Sequence, residues 1–192
     1  MLLYIHGFNS SPASFKANVL RERLTQLGRA AEFLCPALPD RPAQAMALLE
    51  NMVHQHDIDS TTLVGSSLGG FYATYLVEKY GMRAVLLNPA ISPQTGLRAY
   101  LGPQKNLYTG EGYVLTEQHI AELDRLGVPR PADLSRYFLI TATGDEVLDF
   151  REGVERFRGA KQIIINGSDH GMGDFVHYLD KILVFAGINP LP

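Results

Sequence analysis

The chain has 192 residues, 46% of them hydrophobic, enough to enclose one substantial core, with no break in composition to divide it. A formal net charge of -3, from 17 basic and 20 acidic residues scattered without blocks, excludes the electrostatic footprint of a nucleic-acid or anionic-membrane binder and favours a small neutral or apolar substrate. The lone cysteine, Cys35, can form no internal disulfide and fits no zinc pattern, so a reducing, cytoplasmic setting is expected, with Cys35 a small buried hydrophobe at a strand end.

The opening MLLYIHGF is too short and lacks the cationic flank of a signal segment, and no later apolar run reaches the length of a membrane span. Continuous apolar or β-branched runs at 2–5, 31–35, 61–65, 83–88, 137–142 and 161–166 read as strands buried on both faces. Segments with helical spacing separate them at 15–27 (Phe15, Val19, Leu20, Leu24, Leu27), 42–56, 69–80, 150–158 and 173–186. Such alternation implies right-handed βαβ units and a mostly parallel six-stranded sheet covered by helices on both faces, in a single domain over 1–192. Residues 89–136 break the rhythm with a stretch rich in Pro, Gly, Asn and Tyr before the helical TEQHIAELDRL, and are expected to form a lid-like insert. Tyr100, Tyr108 and Tyr113 are expected to pack this insert onto the sheet more than to line a pocket.

Sheets of this kind carry their chemistry at the carboxyl ends of the strands. Where the third run ends, Gly65-Ser66-Ser67-Leu68-Gly69 matches the G-x-S-x-G turn only with Ser67 at its centre. A serine there sits on a sharp strand-to-helix turn, and small residues two positions away let the elements approach; the plain alternative is a serine that caps the helix. No Lys-Ser/Thr follows the glycines and no G-x-G-x-x-G opens the first helix, which argues against phosphate binding.

A nucleophilic serine needs a base, and the base needs an orienting acid. After the fifth run, TGDEVLDF offers Asp145, Glu146 and Asp149. Asp145 lies soonest after the strand and is the expected acid, whereas Asp149 suits a helix cap. After the last run, GSDHGMGDF presents His170 between glycines, the expected base in the order Ser, acid, His. His54, His56, His119 and His177 read as solvated or structural, and His6 as a loop-shaping residue. The expected oxyanion donors are the amides of Leu68, next after the serine, and Phe8 in the His6-Gly7-Phe8-Asn9 loop.

The stretches YIHGFNSSPASFKA, LVGSSLGGFYATYL, LLNPA, YTGEGYVLT, TATGDEVLDFREGVE and GSDHGMGDF together resemble the YqiA/YcfP-like esterases, a small bacterial family of the α/β-hydrolase superfamily, over nearly the whole chain. The resemblance implies a compact α/β-hydrolase fold lacking two antiparallel edge strands of larger members. It also implies serine esterase activity on carboxylic esters or acyl thioesters, with Ser67, Asp145 and His170 as the triad. Neither a cofactor nor a metal is expected. The rival reading is a catalytically idle relative that binds a ligand or protein partner.

Overall fold

The computed structural model describes residues 1–190. In chain order the elements are β1 (Leu2–Ile5), α1 (Phe15–Gln26), β2 (Phe33–Leu34), α2 (Pro42–His54), β3 (Thr62–Ser66), α3 (Leu68–Tyr80), β4 (Arg83–Leu87), α4 (Pro93–Gly96), β5 (Gly102–Lys105), β6 (Gly112–Leu115), α5 (Glu117–Arg125), β7 (Tyr137–Ala142), α6 (Phe150–Arg156), β8 (Lys161–Ile165) and α7 (Leu179–Phe185). No described helix is long and apolar enough to cross a membrane.

The main sheet has six strands in the order β2-β1-β3-β4-β7-β8, every neighbouring pair parallel. Strand residues alternate between its faces. Leu2, Tyr4, Val64, Val85, Leu87, Phe138 and Ile140 meet Leu20 and Leu24 of α1 and Ile182 and Leu183 of α7 on one side. Leu3, Ile5, Leu63, Ala84, Leu86 and Leu139 meet α2, α3 and α6 on the other. Each such side chain, removed from water, contributes about 1.5–3 kcal/mol, so both faces demand the unbroken apolar runs seen in the sequence.

The chain leaves β1 toward β2 through α1 on one face, then crosses to β3 and continues toward β8 with α3 on the opposite face. The loops after β1 and β3 therefore part in opposite directions and open a crevice at the carboxyl edge, the usual ligand position in such sheets.

Four expectations are corrected. The second strand is short: it pairs only with β1, and Pro36, two residues past its end, has no amide to extend the ladder. Phe15 is 49% exposed, and the buried stripe of α1 instead contains Lys16, Ala17, Leu20 and Leu24. The last helix is preceded by a tight turn over Phe175–Tyr178, closed by i to i+3 bonds such as His177 N to Asp174 O at 3.1 Å, so His177 lies outside α7. Within 89–136, β5 and β6 form an antiparallel hairpin where irregular chain was expected.

Where α3 begins, backbone lies against backbone. A Cβ on Gly69 would sit 1.9 Å from the Ile5 carbonyl oxygen, and one on Gly65 would sit 2.4 Å from the Gly69 oxygen. Glycine is required here by space, since neither contact could yield without moving a strand. Gly69→Ala should therefore lose more than ~4 kcal/mol or fail to fold, whereas Gly96→Ala, whose Cβ meets nothing within 4 Å, should be nearly neutral. Urea unfolding midpoints of the two variants check the contrast.

Candidate active site

Ser67 occupies the turn between β3 and α3 with φ 54° and ψ -121°, a left-handed conformation costing a non-glycine residue about 1–3 kcal/mol. Hydrogen bonds hold it there. Its amide donates to the Leu87 oxygen (3.0 Å), while its carbonyl accepts from Gly70 N (2.9 Å) and Ala90 N (3.0 Å). Gly7 abuts it from the β1 loop, where a Cβ would lie 3.1 Å from Ser67 Cβ and 3.6 Å from Oγ. The amides of Phe8 and Leu68, the residues that follow Gly7 and Ser67, have no hydrogen-bond partner among the described residues.

Asp145 and His170, on the loops after β7 and β8, are joined by a 2.8 Å bond between His170 Nδ1 and Asp145 Oδ2. Because a carboxylate only accepts, Nδ1–H is the donor and the lone pair of the neutral ring resides on Nε2. The Asp145 side chain is 1% exposed, and its Oδ1 accepts from Val147 N and Leu148 N, both at 2.8 Å. Burial pushes its pKa up, but the His170 bond and the two amides outweigh burial and hold it below the usual carboxylate value. Glu146, the neighbouring carboxylate, accepts instead from the His170 amide at 3.0 Å, and Asp149 caps α6 by accepting from Arg151 N.

The His170 carbonyl is held as well, by two residues that the sequence reading did not single out. Asn88, buried with φ 40°, donates through Nδ2 to the Asp169 oxygen (3.1 Å) and the His170 oxygen (3.2 Å). Its Oδ1 accepts from Ala142 N at 2.8 Å. Lys16 donates from Nζ to the oxygens of His170 (3.3 Å) and Gly171 (2.9 Å). Burial lowers the Lys16 pKa from 10.5 to about 8, against the attraction of Asp169 and Asp145. A lysine on an apolar stripe, one and two helical turns before Leu20 and Leu24, was the available signal. No hydrogen bond joins Ser67 Oγ to the His170 ring among the described residues, but Asn88 links their backbones: it follows Leu87, which receives the Ser67 amide, and donates to His170.

A pocket of about 350 Å³ opens beside this turn, bounded by the loops after β1 and β2, the first turns of α3, and the hairpin. His6 ties two of its walls together, with Nδ1 bonded to the Gly7 oxygen (3.1 Å) and Nε2 accepting from Leu38 N (3.2 Å). Burial lowers the His6 pKa, and the neutral ring shapes the loop. The hairpin is fastened to the same loop: Tyr113 donates to Asn9 Oδ1 (2.8 Å), Asn106 to the Ser10 oxygen (2.9 Å), and Leu107 N to the Asn9 oxygen (3.0 Å). Contrary to the packing expectation, Tyr113 lines the pocket, and Tyr100 and Tyr108 are about half exposed. His119 is buried and structural, closing the N-terminus of α5 with Thr116.

The parallel sheet with its two helical layers and a serine turn at the switch point is the α/β-hydrolase fold, shared with solved structures of low sequence identity. Alpha/beta hydrolase domain-containing protein 10 from mouse superposes with a TM-score of 0.72 at 18% identity, over 93% of this chain and 85% of that one. Est1E from Butyrivibrio proteoclasticus with ferulic acid bound gives 0.66 at 13% identity (97% and 86%). The monoacylglycerol lipase of Paleococcus ferrophilus gives 0.64 at 13% identity (97% and 93%). The chain itself belongs to the family described as "Uncharacterised protein family (UPF0227)", the YqiA/YcfP-like family, which it matches over residues 1–187.

Two measurements test how the His170 loop is held. Asn88→Asp keeps an acceptor for Ala142 N but faces the carbonyls of Asp169 and His170 with an acceptor, and should lower stability by about 1–3 kcal/mol in denaturant unfolding. Between pH 8 and 10.5 the unfolded chain holds a proton on Lys16 that the folded chain has released, so stability gains a rising contribution with pH across that window. In Lys16→Met this contribution, up to ~3 kcal/mol, should be missing when unfolding is compared at pH 7.5 and 10.

Proposed function

We propose that the protein is a serine esterase that transfers the acyl group of a carboxylic ester, or an acyl thioester, to water through an acyl-enzyme. The observation that carries this reading is the 2.8 Å bond between His170 and a buried Asp145 carboxylate, which leaves Nε2 as the basic nitrogen. The strained turn at Ser67 and the unpaired amides of Phe8 and Leu68 support it. Catalytic hydrogen bonds are often long before substrate binds, so the reading does not require a Ser67–His170 bond in the free protein. The known esterase and lipase of the same fold add analogy alone.

In this scheme His170 Nε2 takes the Ser67 hydroxyl proton as Oγ bonds to the ester carbonyl carbon. The carbonyl oxygen becomes an oxyanion between the Phe8 and Leu68 amides. Collapse breaks the bond to the leaving alkoxide or thiolate, which takes the proton from His170. Water then attacks the acyl-serine by the same route, restoring Ser67 and releasing the acid. Asp145 keeps Nδ1–H in place and stabilises the imidazolium. The scheme uses neither metal nor organic cofactor, and a cytoplasmic setting suits Cys35, a half-buried thiol whose pKa burial pushes up to about 12.

Ser67→Ala should abolish covalent labelling by a fluorophosphonate and reduce turnover of p-nitrophenyl butyrate by roughly 10⁴-fold or more. Peptide mapping of the label onto another serine, or undiminished turnover in the variant, contradicts the assignment. A wild-type protein that neither labels nor hydrolyses the ester supports the idle-relative reading instead.

A further inference from the structure

The pocket beside the serine turn lies on a definite side of it. Along the sheet, β1 and β2 stand on one flank of β3, whereas the loops that carry Asp145 and His170 follow β7 and β8 on the other. If the proposed mechanism holds, the leaving group must depart toward His170, which protonates it. The acyl chain then points the opposite way, past the oxyanion amides and into the pocket.

The pocket wall carries the apolar Phe8, Leu38 and Leu68 among polar residues, two of which, His6 and Tyr72, are buried. Tyr72 stands one helical turn after Leu68 on the same face of α3. It is 3% exposed and lines the cavity, yet its hydroxyl has no hydrogen-bond partner among the described residues. Most other uncharged polar groups there are engaged: His6 bonds the Gly7 oxygen and Leu38 N, Tyr113 and Asn9 bond each other, and Asn106 donates to the Ser10 carbonyl, which leaves the hydroxyls of Tyr72 and of the less buried Ser10 without a partner among the described residues. Burial raises the Tyr72 pKa, so the group is a neutral phenol able both to donate and to accept. An apolar chain that displaced water from it would strand the hydroxyl, whereas an acyl hydroxyl would complete it.

The remaining lining charges are of one sign. Asp40 and Glu111 border the cavity, and among the described residues no lysine or arginine lines it. His119 Nε2 lies 3.3 Å from Asp40 Oδ2, and Glu111 has no side-chain partner among the described residues. A carboxylate on the acyl chain would meet two like charges and no counter-ion.

We propose that this cavity is the acyl site and that it selects short acyl groups bearing a hydroxyl, which the Tyr72 phenol reads, while Asp40 and Glu111 turn away acyl groups that end in a carboxylate. Three ethyl esters of similar size separate the possibilities in a pH-stat: ethyl 3-hydroxybutyrate, ethyl butyrate and monoethyl succinate. With the full chain, kcat/KM should be about tenfold higher for the hydroxybutyrate than for the butyrate, and lowest for the succinate. Tyr72→Phe should bring the first ratio close to one. Asp40→Asn combined with Glu111→Gln should raise succinate turnover several-fold relative to butyrate.

Equal rates on all three esters, a preference for butyrate or succinate, or a hydroxyl preference that survives Tyr72→Phe overturns the acyl-site assignment and leaves the esterase reading intact. Failure to hydrolyse any of them, together with no fluorophosphonate label on Ser67, overturns both. The wild-type ranking and the carboxylate double variant decide the matter even if Tyr72→Phe does not fold.

Discussion

The site depends on a contact between two stretches of main chain. With no side chain on Gly69, the first turn of α3 can rest against the carbonyl of Ile5 at the end of β1. That approach brings the β1 loop, with Gly7 and the free Phe8 amide, beside Ser67 and the free Leu68 amide. Sheet pairing supplies the other half of the constraint, since β1 and β3 are in register from Leu2 opposite Thr62 to Ile5 opposite Gly65. A wider separation would leave a serine on a turn with nothing opposite it. The strain at Ser67 is tolerated because neighbouring strands and α3 over-determine its backbone.

His170 illustrates a different solution to positioning, because it lies on a loop with glycines on both sides. Each of its polar groups except Nε2 is engaged: the ring by Asp145, the amide by Glu146, and the carbonyl by Asn88 and Lys16. These partners sit on the loop after β7, just past the end of β4 and in α1, so the loop inherits its rigidity from the carboxyl edge of the sheet and the helical layer on one face. A buried ammonium is an expensive choice for this work. It is tolerated because the carbonyls at the loop turn and the nearby Asp169 and Asp145 offset part of the desolvation.

Much of this was readable in the amino-acid order, and the reason is periodicity. Runs such as RAVLLN and YFLITA must be buried on two faces, and the glycines around Ser67 have no use in an ordinary helix start. Local spacing likewise pointed to Asp145 and His170, which the fold does bring into contact. What escaped was non-local. Asn88 is 82 positions from His170 and Lys16 is 154, so neither declares its role in its own neighbourhood. Phe15 was placed inward on hydrophobicity alone, but the carbonyls of the His170 loop draw its neighbour Lys16 to the interior. The hairpin of 102–115 lacks the alternation of a half-buried sheet, because its ties run through Asn9 and Ser10 and are polar.

Those ties have a mechanical consequence. Asn9 directly follows Phe8, and it accepts from Tyr113 and Leu107 and donates to Gln104 at 3.2 Å, all in or beside the hairpin. The hairpin that bounds the cavity and the Phe8 amide near the serine are thus geared to one another through Asn9, with the Asn106–Ser10 bond beside it. A swing of the hairpin wide enough to admit a bulky guest would drag that amide with it, so under the proposed mechanism admission and charge stabilisation would not be adjusted independently.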